Sequence, residues 1–370
     1  MRGGAIKSMR GKPLSTNQSL IVSAVMGLLI FALLAILFEG LFRGTRLSST
    51  LQLRSHGVYH AQFEIKWFAL EDFVQENGGV DVILLGNSMV NTGIDPEILG
   101  QRYEYRTGRE LRIFNFGVEG LTVAPNSALA RLLVREYHPG VLIFVTEMRD
   151  YTAVNGVDIE EQLLSDEWLT ARLGGKVTLR AWLKDRSFLV KHLLPYRNWN
   201  RADFPDTFLQ NQYRKLATSP SGYEADYYPR GIAWLPPDPA DPAEQALFSM
   251  FANYTMDPGR LANLADLLAV TSEGTRVLIT ELPLHPNYFL YFNDPAAHAK
   301  YLEELVPFIT SRGGVFLPPL PSELIPDSFR SDYYHLNYKG AMVYSALLAD
   351  QLAELCLNEG VCLQPMEQAR

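Results

Sequence analysis

Leu20–Phe38 reads LIVSAVMGLLIFALLAILF, nineteen residues without a charge. As a helix rising about 1.5 Å per residue, the run covers roughly the 30 Å hydrocarbon layer of a bilayer. Gly40, Leu41 and Phe42 extend it past Glu39 if the helix tilts. A secretory signal is the competing reading, because Arg2, Lys7, Arg10 and Lys12 precede the run. Signal h-regions are only about 7–15 residues long, and no small-x-small cleavage site follows Phe38, so the sequence favours an uncleaved signal anchor. The expected plan is a basic tail at 1–18, a transmembrane span at 19–42, a juxtamembrane connector at 43–77 and a folded domain at 78–370.

Charge divides along the same boundary. The whole chain carries 33 Lys and Arg against 41 Asp and Glu, a net of −8. The tail holds four basic residues and no acid, which leaves −12 on the remainder. No basic footprint invites nucleic acid. Arg43, Arg46 and Arg54 follow the span, so the positive-inside bias is slight. Cys356 and Cys362 enclose LNEGV, a loop that closes easily as a disulfide in an oxidising compartment, although two nearby free thiols are also common. Together these signals place the N-terminus inside and about 325 residues outside a cell membrane. With 27 Gly, 22 Pro and 2 Cys, composition excludes a collagen, a disordered chain and a disulfide scaffold.

Four short apolar runs follow the anchor: Val80–Leu85, Leu111–Phe116, Val141–Thr146 and Val277–Leu282. Each ends at a turn-forming or polar residue, as buried parallel strands do. Val315–Leu317 is a weaker fifth. Helical stripes lie between them: Leu129, Leu132 and Leu133; Leu261, Leu264, Leu267 and Leu268; Tyr301, Leu302, Leu305 and Val306; and Val343, Leu347, Leu348, Leu352 and Leu355. Strand and helix alternate, so the expected fold is a three-layer α/β sandwich around a parallel sheet. Between about 151 and 260 the alternation fails. That stretch holds Trp168, Trp182, Trp199 and Trp234 and the Pro-rich Leu235–Pro242, and it reads as a mostly helical or irregular insertion.

Three short motifs can carry chemistry. In DVILLGNSMVNTGIDP, Ser88 stands just past the first strand, at the sheet edge where ligands bind in open α/β folds. Alone, a Ser there is usually a turn or cap residue. In Asn115-Phe116-Gly117-Val118-Glu119-Gly120, two glycines let backbone approach a ligand closely, or simply make a turn. In Asp332-Tyr333-Tyr334-His335, a spacing of three puts carboxylate and imidazole on one side of a helical turn. The carboxylate can then orient the ring while its other nitrogen takes a proton from a serine. His56 and His60 have the i,i+4 spacing of metal ligands but lack a third partner, and read as juxtamembrane polar residues. His285, just past the fourth strand, and Asp150, at the end of the third, are candidate substrate contacts. The chain has no P-loop, no H-E-x-x-H and no dinucleotide fingerprint, and no cofactor or metal is expected.

Taken in order, these motifs resemble the blocks of the SGNH (GDSL-like) hydrolase superfamily, over about Val80–Asp150 and Val277–Leu355. The resemblance implies Ser88 as nucleophile, His335 as general base and Asp332 as its orienting partner. It also implies an oxyanion hole built from the N–H groups of Ser88 and Gly120. His335-Leu336-Asn337 with Gly340 is characteristic of the family's last block. One departure stands out: the third block ends Glu147-Met148-Arg149-Asp150, with Arg149 where the family has an oxyanion-donating Asn. Arg149 can act there as a cation, or Asn87, Asn91 or Asn126 can substitute. Gly-Asn-Ser followed by Gly-Ile-Asp-Pro is similar to membrane-anchored envelope proteins of this superfamily, including the teichoic acid D-alanyl transfer protein. That likeness implies a serine esterase or O-acyltransferase acting on an acylated envelope glycan, beside a multi-spanning membrane O-acyltransferase. The alternative is a non-catalytic accessory protein of the same fold, serving an O-acyltransferase or a polysaccharide export system.

Overall fold

The computed structural model describes residues 16–44, 53–227, 236–360 and 362–363. The basic tail residues Arg2, Lys7, Arg10 and Lys12, together with Arg46, Trp234 and Leu235, lie outside them. Along the chain run α1 (Thr16–Gly44), α2 (Ala61–Asn77), β1 (Val82–Gly86), α3 (Ser88–Gly93), α4 (Pro96–Thr107), β2 (Ile113–Gly117), α5 (Val123–Tyr137) and β3 (Val141–Val145). The insertion supplies α6 (Val157–Leu164), α7 (Glu167–Arg172), α8 (Leu179–Arg186), α9 (Phe188–Leu193), α10 (Phe204–Ala217) and α11 (Pro242–Phe251). The α/β alternation then resumes with α12 (Pro258–Leu268), β4 (Arg276–Thr280), α13 (Ala297–Thr310), β5 (Val315–Phe316) and α14 (Tyr338–Glu359).

The five strands form one parallel sheet in the order β2-β1-β3-β4-β5. β1 to β3 are buried throughout and apolar except for Asn115 in β2, as a sheet covered by helices on both faces requires. α4 packs against α14, and α5 against α12. Asp350 on α14 takes hydrogen bonds from Arg102 (2.8 Å) and Arg106 (2.7 Å) on α4 and so ties that layer. The strand order reverses between β1 and β3, and at such a point a cleft opens at the carboxyl ends of the strands.

The stretch 43–77 is more than a connector, because it contains α2, which is part of the core. Phe63, Trp67 and Leu70 are fully buried, and Phe63 and Trp67 both meet the Phe116 ring edge-on. Two buried charges disguise this helix in the sequence. The Lys66 ammonium donates to the carbonyls of Asn115 and Gly222, and burial lowers its pKa to about 7. Glu64 accepts from Ser55 Oγ and from the N–H groups of His56 and Val58, and burial raises its pKa to about 7. His56 is buried between the rings of Phe68 and Trp168, at 4.6 and 4.0 Å, while His60 caps α2. Neither belongs to a group of metal-ligating side chains among the described residues.

α1 is long and apolar enough to cross a membrane, with mean hydropathy 3.0 over Ser19–Gly40 and no residue of that run fully buried. α14 also passes that length test but is a half-buried core helix. Cys356 and Cys362 are joined by a disulfide at the end of α14, where Gly360 adopts the left-handed backbone that closes the helix.

Candidate active site

β1 delivers Ser88 to the cleft. Asn87 caps α3 by accepting from the Met89 N–H at 2.9 Å, which makes Ser88 the first residue of that helix. Its N–H is therefore one of the first-turn amides without an intrahelical partner. Val118 N–H donates to Gly86 O at 3.1 Å, linking the β1 and β2 turns. Asn115 is buried and holds α3 from below, donating to the carbonyls of Val90 (2.7 Å) and Ile94 (2.8 Å). Gly120 has φ +73°, a backbone that favours glycine, and a Cβ there would lie 2.5 Å from Ile159 of α6.

The opposite wall is the loop after β5. Asn337 caps α14 through the N–H groups of Lys339 and Gly340 and donates to Ser328 O at 2.9 Å. Leu336 is fully buried, and a Cβ on Gly340 would stand 2.1 Å from Phe329 O. The His-Leu-Asn-x-x-Gly pattern thus has a structural reason: it fixes the loop that carries His335.

The two walls meet. Ser88 Oγ lies 2.7 Å from His335 Nε2, and His335 Nδ1 lies 2.7 Å from Asp332 Oδ2. The other Asp332 oxygen accepts from the N–H groups of Tyr334 (2.9 Å) and His335 (2.7 Å). Burial works against the Asp332 charge, but the His335 hydrogen bond and the two amides outweigh it and hold the carboxyl below its usual range.

No protein-family model and no curated protein matches the chain. Among solved structures, TesA aligns over 72% of this chain and 96% of its own length, at TM-score 0.36 and 12% identity. A catalytic mutant of Axe2, an acetylxylan esterase from Geobacillus stearothermophilus, aligns over 74% and 94%, at TM-score 0.33 and 13% identity. These are distant likenesses. The chemistry of the site is read from its own geometry.

Arg149 sits in the short turn Met148–Tyr151 after β3. Its guanidinium bonds Glu147, with Nε 2.7 Å from Oε1, and lies 3.9 Å above the Tyr334 ring. The same ring is 4.4 Å from the His335 imidazole. Tyr288 donates to the second Glu147 oxygen at 2.8 Å, so the carboxylate is fully engaged. Glu147, Tyr288 and Tyr334 carry no motif of their own. Only the adjacency of Tyr334 to His335 and of Glu147 to Arg149 hinted at them.

The other sequence candidates have structural partners. Asn87 Nδ2 reaches Asp150 Oδ1 at 3.3 Å, which leaves one amide hydrogen for other use. Asp150 is buried, and its second oxygen accepts from Thr146 Oγ1 and Glu147 N–H, each at 3.0 Å. Burial and the neighbouring Glu147 raise its pKa to about 7. These bonds engage both carboxylate oxygens and tie the turn after β3 to the turn that carries Ser88. His285 caps the turn Pro286–Tyr291 through Asn287 N–H, and its own N–H donates to Tyr333 O at 2.8 Å. It therefore links the loop after β4 to the loop bearing His335. Asn91 donates to Glu224 and Asn126 to Thr122 O. The insertion reaches the site from the side: Arg214 of α10 pairs with Glu119, adjacent to Gly120, at 2.9 Å.

Proposed function

We propose that this chain is a membrane-tethered, extracytoplasmic serine esterase or O-acyltransferase, acting on acyl esters, acetyl above all, of an envelope glycan. The observation that carries the reading is the continuous Ser88–His335–Asp332 hydrogen-bonded chain. Ser88 Oγ attacks the ester carbonyl carbon while His335 Nε2 takes the hydroxyl proton. Asp332 holds the imidazole by Nδ1 and stabilises its charged form. The oxyanion is held by the N–H groups of Ser88 and Gly120, with the second amide hydrogen of Asn87 in the role the family gives to the third-block Asn. The tetrahedral intermediate expels the alcohol, which leaves with the His335 proton, and an acyl-serine remains. Water as second nucleophile completes hydrolysis, and a sugar hydroxyl completes transfer. The apolar helix α1 supports tethering, and the motif resemblance supports an envelope glycan served together with a multi-spanning membrane O-acyltransferase.

A second reading has one specific observation behind it. Arg149 replaces the family's Asn, and its guanidinium is already committed to Glu147 and Tyr334, as in an accessory protein that keeps the fold without the turnover. Aryl acetate hydrolysis by the detergent-solubilised full chain separates the two. The enzyme reading predicts turnover that falls about 10³-fold or more in Ser88→Ala. Turnover equal in wild type and Ser88→Ala contradicts it. Adding a glycan acceptor then distinguishes transfer from hydrolysis by where the acetyl group ends.

A further inference from the structure

The insertion has a face that the chemistry above does not use. Most of its apolar side chains at 179–199 are not in the core: α9 and the turn Leu194–Tyr196 contain no buried residue. Leu179 and Trp199 are 73% and 74% exposed, and Trp182, Leu193 and Tyr196 are about half exposed. A stretch rich in open Trp, Tyr and Leu is unusual on a face that meets only water. The same stretch is basic. Residues 176–201 hold seven Lys and Arg against one Asp, a net of +6 in a chain whose total is −8. Lys184 is buried beside Asp166 and Arg180 approaches Glu167, so part of that charge is used locally. The sign of the segment is nonetheless opposite to that of the protein.

Position supplies the third observation. Glu39, at the C-terminal end of the apolar run in α1, accepts hydrogen bonds from Ser187 Oγ (3.0 Å), Phe188 N–H (2.6 Å) and Leu189 N–H (3.0 Å). Ser187 ends α8 and caps α9, so both helices begin or end where α1 emerges. At about 1.5 Å per residue, Leu179 and Trp182 on α8, and Leu193 at the end of α9, lie within roughly 12 Å of that contact along their helices.

We propose that residues 176–201 form a platform lying in the headgroup layer of the bilayer that α1 crosses, with an anionic phospholipid surface as its occupant. Tyr and Trp suit that layer because their rings are apolar and their tips polar. The surrounding Lys and Arg complement anionic headgroups. The platform continues through α10 and the Arg214–Glu119 pair to the Gly120 loop, so it sets the height of the Ser88 cleft above the membrane. This inference rests on the reading of α1 as a membrane span.

The test uses the full chain reconstituted in vesicles of phosphatidylcholine and phosphatidylglycerol, with or without bromine on the acyl chains near the headgroups. Alkaline carbonate extraction of the same vesicles reports on the span. Trp67 and Trp168 are buried in the protein and serve as internal references. The proposal predicts retention after carbonate and a loss of about a third of tryptophan emission on bromination, as interfacial rings require. With all variants built on Trp234→Phe, that loss disappears in the Trp182→Phe, Trp199→Phe double variant. Retention with equal emission loss in Trp234→Phe and in the double variant built on it overturns the platform and leaves the span standing, since the face then meets water or another protein. Release by carbonate overturns the span, and the platform with it.

Discussion

Arg149 shows how a buried cation can be absorbed by its neighbours. A guanidinium brings a charge into a crowded turn, and burial alone would oppose it. Glu147 more than offsets that cost, Tyr288 completes the carboxylate, and the planar cation rests on Tyr334 beside the imidazole. Arg149→Ala would leave Glu147 buried without its partner, and we expect a loss of about 3–5 kcal/mol in chemical denaturation. Adding Glu147→Gln should recover a good part of it, because the orphaned charge is then gone. In the hydrogen-bonded chain, Asp332→Asn keeps the shape and reverses the preferred tautomer, with an expected fall of about 10⁴-fold in kcat that is far larger than the accompanying loss of stability. The folded Asp332 has a lowered pKa, so its contribution to stability is complete above its unfolded value and is lost as pH falls through the lower folded one. Ser88, Asp332 and His335 could be read from the sequence because each lies in a short local pattern. Glu147, Tyr288 and Tyr334 could not, since their roles depend on a stack formed between segments more than a hundred residues apart.

At the level of elements, the strands were the easiest to foresee, because a sheet covered on both faces must be mostly apolar. β1 to β4 fall within about two residues of the runs that predicted them, and β5 is the short one. α2 was hidden, since a core helix carrying a buried Glu64 and Lys66 breaks the expected pattern. The loop ahead of it yields a pH prediction. Burial, with Lys191, Arg172 and Arg54 nearby, lowers the His56 pKa to about 3. As pH falls below about 6.5 the unfolded chain takes the proton first, so the contribution of His56 to folding weakens progressively down to about pH 3. Between pH 7 and pH 5 the expected loss from His56 is about 2 kcal/mol, set against the opposite contributions of Glu64 and Asp150. His56→Phe keeps the stack between Phe68 and Trp168 and should flatten this part of the stability–pH curve; an unchanged slope would contradict the assignment. In the loop before α14, Gly340→Ala forces a methyl against Phe329 O, whose partner is Asn337 N–H. Moving that frame by even a fraction of an ångström should slow Ser88 acylation by about 10²-fold, measured against melting temperature to separate positioning from unfolding.

For the whole molecule, the parts lie in order from the apolar helix to the cleft. An apolar helix leads into a basic, aromatic insertion, which is tied by Arg214 to the loop of Gly120, across from the loop of His335. The insertion was visible in the sequence only as a break in alternation, because its helices are short and make few core contacts, whereas the sheet around it was legible throughout. All of this matters for function only if the Ser88 hydroxyl is a working nucleophile, and one measurement addresses that directly. The full-length protein is treated with a fluorophosphonate probe, which reacts with an activated serine, and the modified peptide is identified by mass spectrometry. The account predicts a single adduct on Ser88, absent in Ser88→Ala and lost in His335→Ala although both variants remain folded. A folded wild type that stays unlabelled, or labelling that persists in Ser88→Ala, would contradict it.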